Sequence, residues 1–219
     1  MRVQQIGVVI LATAVAAIAL AATAAVDGPQ AGAPPRALVV AEGLAEDIQA
    51  DLDARNWTMA RTRLAELQKN RVALQRVLPA GETAGYGVVL DSLISQLGRQ
   101  ERPAALQSAN RLSRAIVGFM AKYDVTVPAQ VGYLDVAGRD VIYAAETGRW
   151  QDASAAAAEL RANYAGVGTH VAGKDSTLDR RVRQQLSQLD SAVAAKSAAR
   201  VRAIATALLG DVDLVEQTY

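Results

Sequence analysis

The sequence predicts an all-α fold: an N-terminal apolar helix acting as signal or anchor, then about eight antiparallel helices in a tandem pair of four-helix units, built as bundles or as a stack of helical hairpins. Three observations lead there. Hydrophobic residues make up 51% of the 219 but aromatics only 4%, and the apolar content is mostly alanine, leucine and valine, which lose little entropy in a helix and let helices pack closely. The apolar positions recur at steps of three and four, and β-branched residues never gather into alternating runs. Prolines and glycines fall at regular intervals, where helices must start or stop.

The elements follow in order. Residues 1–26 carry one charge, Arg2, and an apolar run of 21 residues from Ile6 to Val26; at about 1.5 Å per residue this spans roughly 30 Å, enough for a bilayer. The run ends in Ala22-Thr23-Ala24 and Thr23-Ala24-Ala25, small-residue patterns that suit signal peptidase. Either as a cleaved signal or as an inner-membrane anchor formed by residues 6–26, it places the bulk of the chain outside the cytoplasm, periplasmic or secreted. Residues 27–35 are a Pro/Gly linker.

The first unit, 36–123, is expected to hold four helices. Leu38, Ala41, Leu44, Ala45, Ile48 and Leu52 form one stripe over 36–54, with Glu42, Glu46, Asp47 and Asp51 off it. Asn56 is placed to cap a second helix carrying Trp57, Ala60, Leu64, Leu67 and Leu74 up to Pro79. The third spans about 82–98. The fourth starts near Glu101, takes Pro103 in its first turn and runs to about Tyr123.

The second unit, 124–219, repeats the plan with helices over 128–147, 150–164, 176–190 and 195–215. Between the second and third lies a stretch read as a glycine-rich loop, Gly166 to Gly173, and Ser176 with Asp179 reads as a capping box. A shift of 93, the separation of Trp57 from Trp150, also pairs Glu66 with Glu159, Asn70 with Asn163 and Asp47 with Asp140. Beyond the loop a shift of 96 pairs Leu93 with Leu189 and Leu112 with Leu208, so three residues are inserted near the loop. A hairpin whose second helix opens with tryptophan resembles tetratricopeptide-type repeats in architecture, but their period of about 34 residues and their consensus are absent.

Several function classes drop out. Past residue 26 the chain carries 22 basic and 22 acidic residues, without the excess that a nucleic-acid binder shows. The chain has no cysteine, which removes disulfides, thiolate metal sites and covalent haem attachment. No Glu-x-x-His follows Glu66 or Glu159, so a di-iron bundle is not expected, and no Gly-x-Ser-x-Gly marks a serine hydrolase.

The residues left for ligand or partner contact are few. Trp57 and Trp150 read first as large side chains closing each unit and second as an aromatic binding surface. Glu66 and Glu159 lie about 100° from the inward stripe, as solvated or ion-paired acids do. His170, the one histidine, with Asp175 nearby, is the strongest hint of a metal or haem site, for which Met59 or Met120 would supply the second ligand. Arg180 and Arg181 near a helix start are the arginines to test for an acidic partner, and Asp211, Asp213 and Glu216 make an acidic end. No catalytic residue and no cofactor are expected. The sequence thus favours an extracytoplasmic binding or scaffold protein, an accessory subunit contacting another extracytoplasmic or membrane protein; the alternative is a periplasmic metal- or haem-binding bundle.

Overall fold

A computed structural model describes residues 32–78 and 80–219. The expected signal or anchor, residues 1–26, and most of the 27–35 linker lie outside them. Eight helices follow in order: α1 Arg36–Asp53, α2 Trp57–Val77, α3 Ala80–Gly98, α4 Arg102–Met120, α5 Ala129–Glu146, α6 Trp150–Lys174, α7 Ser176–Ala194 and α8 Ala198–Glu216. Chain neighbours run antiparallel, and among the described residues no helix is long and apolar enough to cross a membrane.

The helices close two rings of contact. α1 packs on α2 and α4, and α3 on α4 and more sparsely on α2. α5 packs on α6 and α8, and α7 lies against both α6 and α8. The rings join where α4 lies on α5. In an open stack of hairpins α1 would not return to α4, so the closing contacts α1·α4 and α5·α8 are what distinguish a ring. One hydrophobic cluster runs through both, from Leu38, Ile48 and Leu93 to Leu160, Leu189 and Leu208; burying each leucine contributes about 1.5–3 kcal/mol.

The hairpin turns are built alike. α1–α2, α3–α4, α5–α6 and α7–α8 are each joined through a residue of positive φ: Arg55 (58°), Gln100 (57°), Gly148 (72°) and Lys196 (50°). At every one the next N–H reaches five residues back, Asn56 to Asp51, Glu101 to Gln96, Arg149 to Ala144 and Ser197 to Ala192, at 2.7–3.1 Å. This is the Schellman closure, which satisfies carbonyls left open at a helix end. Arg55 stands 93 positions from Gly148, and Gln100 stands 96 from Lys196, the two shifts read from the sequence. The connection between the rings, 121–128, is the longest. Its Asp124 holds Gly32 at both backbone and side chain, with Gly32 N–H donating to the carboxylate at 3.1 Å.

Three expectations need correcting. The stretch Gly166–Gly173 is helix, the continuation of α6 through to Lys174. Of its three glycines one sits under close neighbours: a Cβ on Gly168 would stand 2.9 Å from Arg183 Nη2 and 3.3 Å from Tyr164, so at that position tertiary packing overrides a poor helix propensity. The inserted residues therefore lengthen a helix, 25 residues in α6 against 21 in α2. Second, α7 is capped by Asp175, whose carboxylate accepts from Thr177 N and Leu178 N at 2.9 Å each. Ser176 is already inside the helix, and Asp179 is used by Arg183 and Tyr164. Third, α8 begins at Ala198, because Lys196 and Ser197 are spent on the turn. The Asn56 cap forms as expected, accepting from Met59 N at 3.3 Å.

Candidate functional site

The sequence-predicted residues do not converge. Trp57 and Trp150 are partly buried and pack against the core, as closing side chains do. Glu66 is exposed on α2, 4.0 Å from Arg63. Its counterpart Glu159 is taken by Arg114 of α4, which also holds Asp140 at 2.9 Å. Arg181 is paired within the chain, its Nε and Nη2 donating to the carboxylate of Asp211 at 2.7 and 2.6 Å, while Arg180 is exposed.

His170 is half-buried on the last turns of α6. Its Nε2 lies 3.0 Å from the Thr218 carbonyl, and its ring stacks on Tyr219 with centroids 4.0 Å apart and planes 10° from parallel. Asp175 is committed to capping α7. Among the described residues no three His, Asp or Glu side chains are placed to hold a metal.

Charged groups do gather elsewhere, in a cleft of about 560 Å³ between the rings. Glu42 and Glu46 line it from α1, Asp135 and Arg139 from α5, Asp213 and Glu216 from α8. Asp124 of the connecting segment adds a sixth carboxylate against the single guanidinium. Apolar side chains fill the spaces between, with Val117 and Met120 from α4, Val131 from α5 and Val212 from α8. The periodicity of each helix dictates this placement: Glu42 and Glu46 stand one turn apart beside the buried stripe of Ala41, Ala45 and Ile48. Asp135 and Arg139 hold the same positions on α5, 93 residues on.

Electrostatics inside the cleft are strained. Burial pushes the Glu46 carboxyl up to about 7, with the negative charges of Asp135 and Glu42 acting in the same sense and Arg139 opposing. Glu42 is raised too, by burial and then by Glu216 and Asp135. Arg139 is held in its charged form by Asp135, which receives two of its hydrogen bonds at 2.8 and 3.1 Å. Its burial is thereby compensated, and among the described residues the other acids of the cleft have no ion pair.

A buried polar contact also ties the rings. Gln49 of α1 is fully buried and donates to Ser113 Oγ at 2.9 Å, while Tyr143 of α5 donates to its Oε1 at 3.5 Å. Burial raises the Tyr143 phenol above its ordinary range, so it serves as a donor. The walls of the cleft are thus fixed by structure outside it.

Sequence reading passed over Glu42, Glu46, Asp135 and Arg139 because each looks like an ordinary solvated residue on its own helix. One signal was present: the shift that pairs the tryptophans also pairs Glu42 with Asp135 and Glu46 with Arg139. Charged residues thus recur at one face of two helices, beside the buried stripe of each. No family model matches this chain, and no curated protein or solved structure matches it.

Proposed function

We propose that this chain is an extracytoplasmic, non-enzymatic helical binding module, made of two equivalent four-helix units (36–123 and 124–219) and brought to its compartment by residues 1–26. Its cleft receives a basic segment of a partner protein, the role of an accessory subunit at a membrane assembly. The observation that carries this reading is the cleft itself: among the described residues it sets six carboxylates against one guanidinium, with apolar side chains between them and a lining drawn from both rings. The acids are spread along three helices and a connector instead of meeting at a point, which suits a run of lysines or arginines better than a single ion. Valine and methionine between them suit the aliphatic stems of those side chains.

The metal- or haem-binding alternative has less to stand on. Its one histidine is engaged by Thr218 and Tyr219, and Met59 lies exposed on the first turn of α2.

A labelled peptide of alternating lysine and leucine tests the reading by fluorescence anisotropy at low salt. Binding is expected, weakening by about tenfold in the Glu46→Gln/Asp135→Asn double variant and falling with added salt. Equal binding of a glutamate–leucine peptide, or binding untouched by the double variant, would remove the cleft as the site.

A further inference from the structure

The seam between the rings shows what one face of such a unit accepts. α4 offers Asn110, Arg114, Val117 and Gly118 to the outer face of α5, where Gly132, Tyr133, Val136 and Asp140 receive them. The fit is close: a Cβ on Gly132 would lie 2.9 Å from Val117, and one on Gly118 would lie 3.2 Å from the Tyr133 hydroxyl. Asn110 donates to the Val136 carbonyl at 2.8 Å and to Asp140 at 2.7 Å. Arg114 spans Asp140 and, on α6, Glu159.

The two shifts found in the hairpin turns carry both halves of this seam onto surfaces left exposed among the described residues. Shifting back by 93 takes the α5 face onto Val39, Val40, Gly43 and Asp47 of α1, with Glu66 of α2 in place of Glu159. Shifting forward by 96 takes the α4 face onto Thr206, Gly210, Asp213 and Leu214 of α8. All of these are exposed. Val39, Val40 and Leu214, at 49%, 40% and 42% exposure, are three of the six large hydrophobic side chains left open to solvent in the described chain.

We propose that copies of this chain associate head to tail, α8 of one copy seating on α1 and α2 of the next as α4 seats on α5 and α6 within the chain. Two of the contact pairs change in compensating ways, while the third, Val117 over Gly132, becomes Asp213 over Val39 and does not. The small–large pair Gly118 and Tyr133 becomes the intermediate pair Leu214 and Val40. Asn110 over Val136 becomes Thr206 over Gly43. Threonine keeps a donor on a shorter side chain, and a glycine beneath it, with nothing within 4 Å of a Cβ built there, lets the backbones approach by the difference.

The charge is kept by a different route. Gly210 replaces Arg114, and the cation comes from α2 of the receiving copy: Arg63 lies 3.2 Å from Asp47 and 4.0 Å from Glu66. Nothing lies within 4 Å of a Cβ built on Gly210, so Arg63 has room beneath it. The position equivalent to Arg63 in the second unit is Ala156, which is buried, as expected where Arg114 already supplies the charge. Asp213 replaces Val117, and it lies at the edge of the cleft, exposed to water. Such a contact uses different patches on the two partners, so it propagates from copy to copy, into a ring where the rotation closes and into an open chain where it does not. Of the residues named in this contact, Asp213 alone also lines the cleft.

Sedimentation velocity of the full chain in a non-ionic detergent tests it. The wild type is expected to sediment faster as concentration rises toward about 100 µM, the range in which weak specific contacts populate. Val40→Glu and Leu214→Glu should each sediment as monomers, with unchanged circular dichroism because both sites are exposed. Mixed in equal amounts they should form a one-to-one dimer that grows no further, since each keeps the face the other has lost. A wild type monomeric throughout, association indifferent to both variants as contact through residues 1–31 would give, or a mixture no more associated than its components would each overturn the proposal.

Discussion

At the scale of single residues, Glu46 has the most distinctive expected behaviour. It stands in the cleft with Glu42 on its own helix, Asp135 and Arg139 across on α5, and Glu216 on α8, and the sum of these with burial raises its carboxyl to about 7. A carboxyl whose pKa is higher in the folded than in the unfolded chain is kept protonated by the fold between those two values. Folding then takes up a proton, and stability falls as pH rises through that window. For Glu46 the window runs from its ordinary 4.5 to about 7, and Glu42 acts in the same direction. The urea midpoint should therefore decline from about pH 5 to about pH 7 and level off above. Glu46→Gln should flatten the decline and be the more stable protein at about pH 8. Glu46 is exposed on α1, so water screens much of the effect, and the shape of the profile is the diagnostic and its depth is not. A wild-type midpoint that is flat or rises across this window would show that the cleft acids titrate as free carboxylates.

At the scale of the element, the start of α7 separates two readings of one stretch of sequence. Ser176 and Asp179 carry the spacing of a capping box, but Asp175 makes both cap hydrogen bonds. Asp175→Ala should cost about 1 kcal/mol, as loss of an aspartate cap does, and Ser176→Ala should cost almost nothing. Chemical denaturation of the two variants measures this, and the reverse ranking would restore the serine cap. The same region shows why some of the structure was legible in the residues and some was not. Helices α1 to α5 were readable because periodicity, prolines and Asn56 are local signals, and local signals agree with the fold there. α6 was cut short at Tyr164 because glycine spacing says loop, whereas the reason for Gly168, the Arg183 guanidinium and Tyr164 ring lying over it, is a contact between elements. His170 lost its apparent promise for the same reason: in a flexible loop it would be available, but on a helix it faces Thr218 and Tyr219. The cleft was illegible for a further cause, since its carboxylates come from α1, α5 and α8, and only the closing of two rings brings those helices together.

At the scale of the whole molecule, the question is whether the two rings unfold as one body or as two. One hydrophobic cluster runs through both, but the seam between α4 and α5 also rests on polar contacts that water competes for. Arg114 reaches Asp140 at 2.9 Å and the Glu159 carboxylate through both its terminal nitrogens. All three side chains are about one-third exposed, so screening limits the contribution. Asn110 is fully buried, donates to the Val136 carbonyl and to Asp140, and has an Oδ1 without a partner. Removing Arg114 leaves two carboxylates of the second ring without their cation, and removing Asn110 takes away a buried donor together with the packing of its side chain. Each loss should cost on the order of 1–2 kcal/mol. The two share Asp140, so their costs should not add. The double variant Asn110→Ala/Arg114→Ala loses these ties while leaving the core of each ring untouched. In scanning calorimetry the wild type should melt in one transition, and the double variant should separate into two as coupling across the seam weakens. A single transition, lowered but undivided, would mean that the apolar approach of Val117 to Gly132 and the buried Gln49–Tyr143 contact are enough to make the rings one cooperative unit.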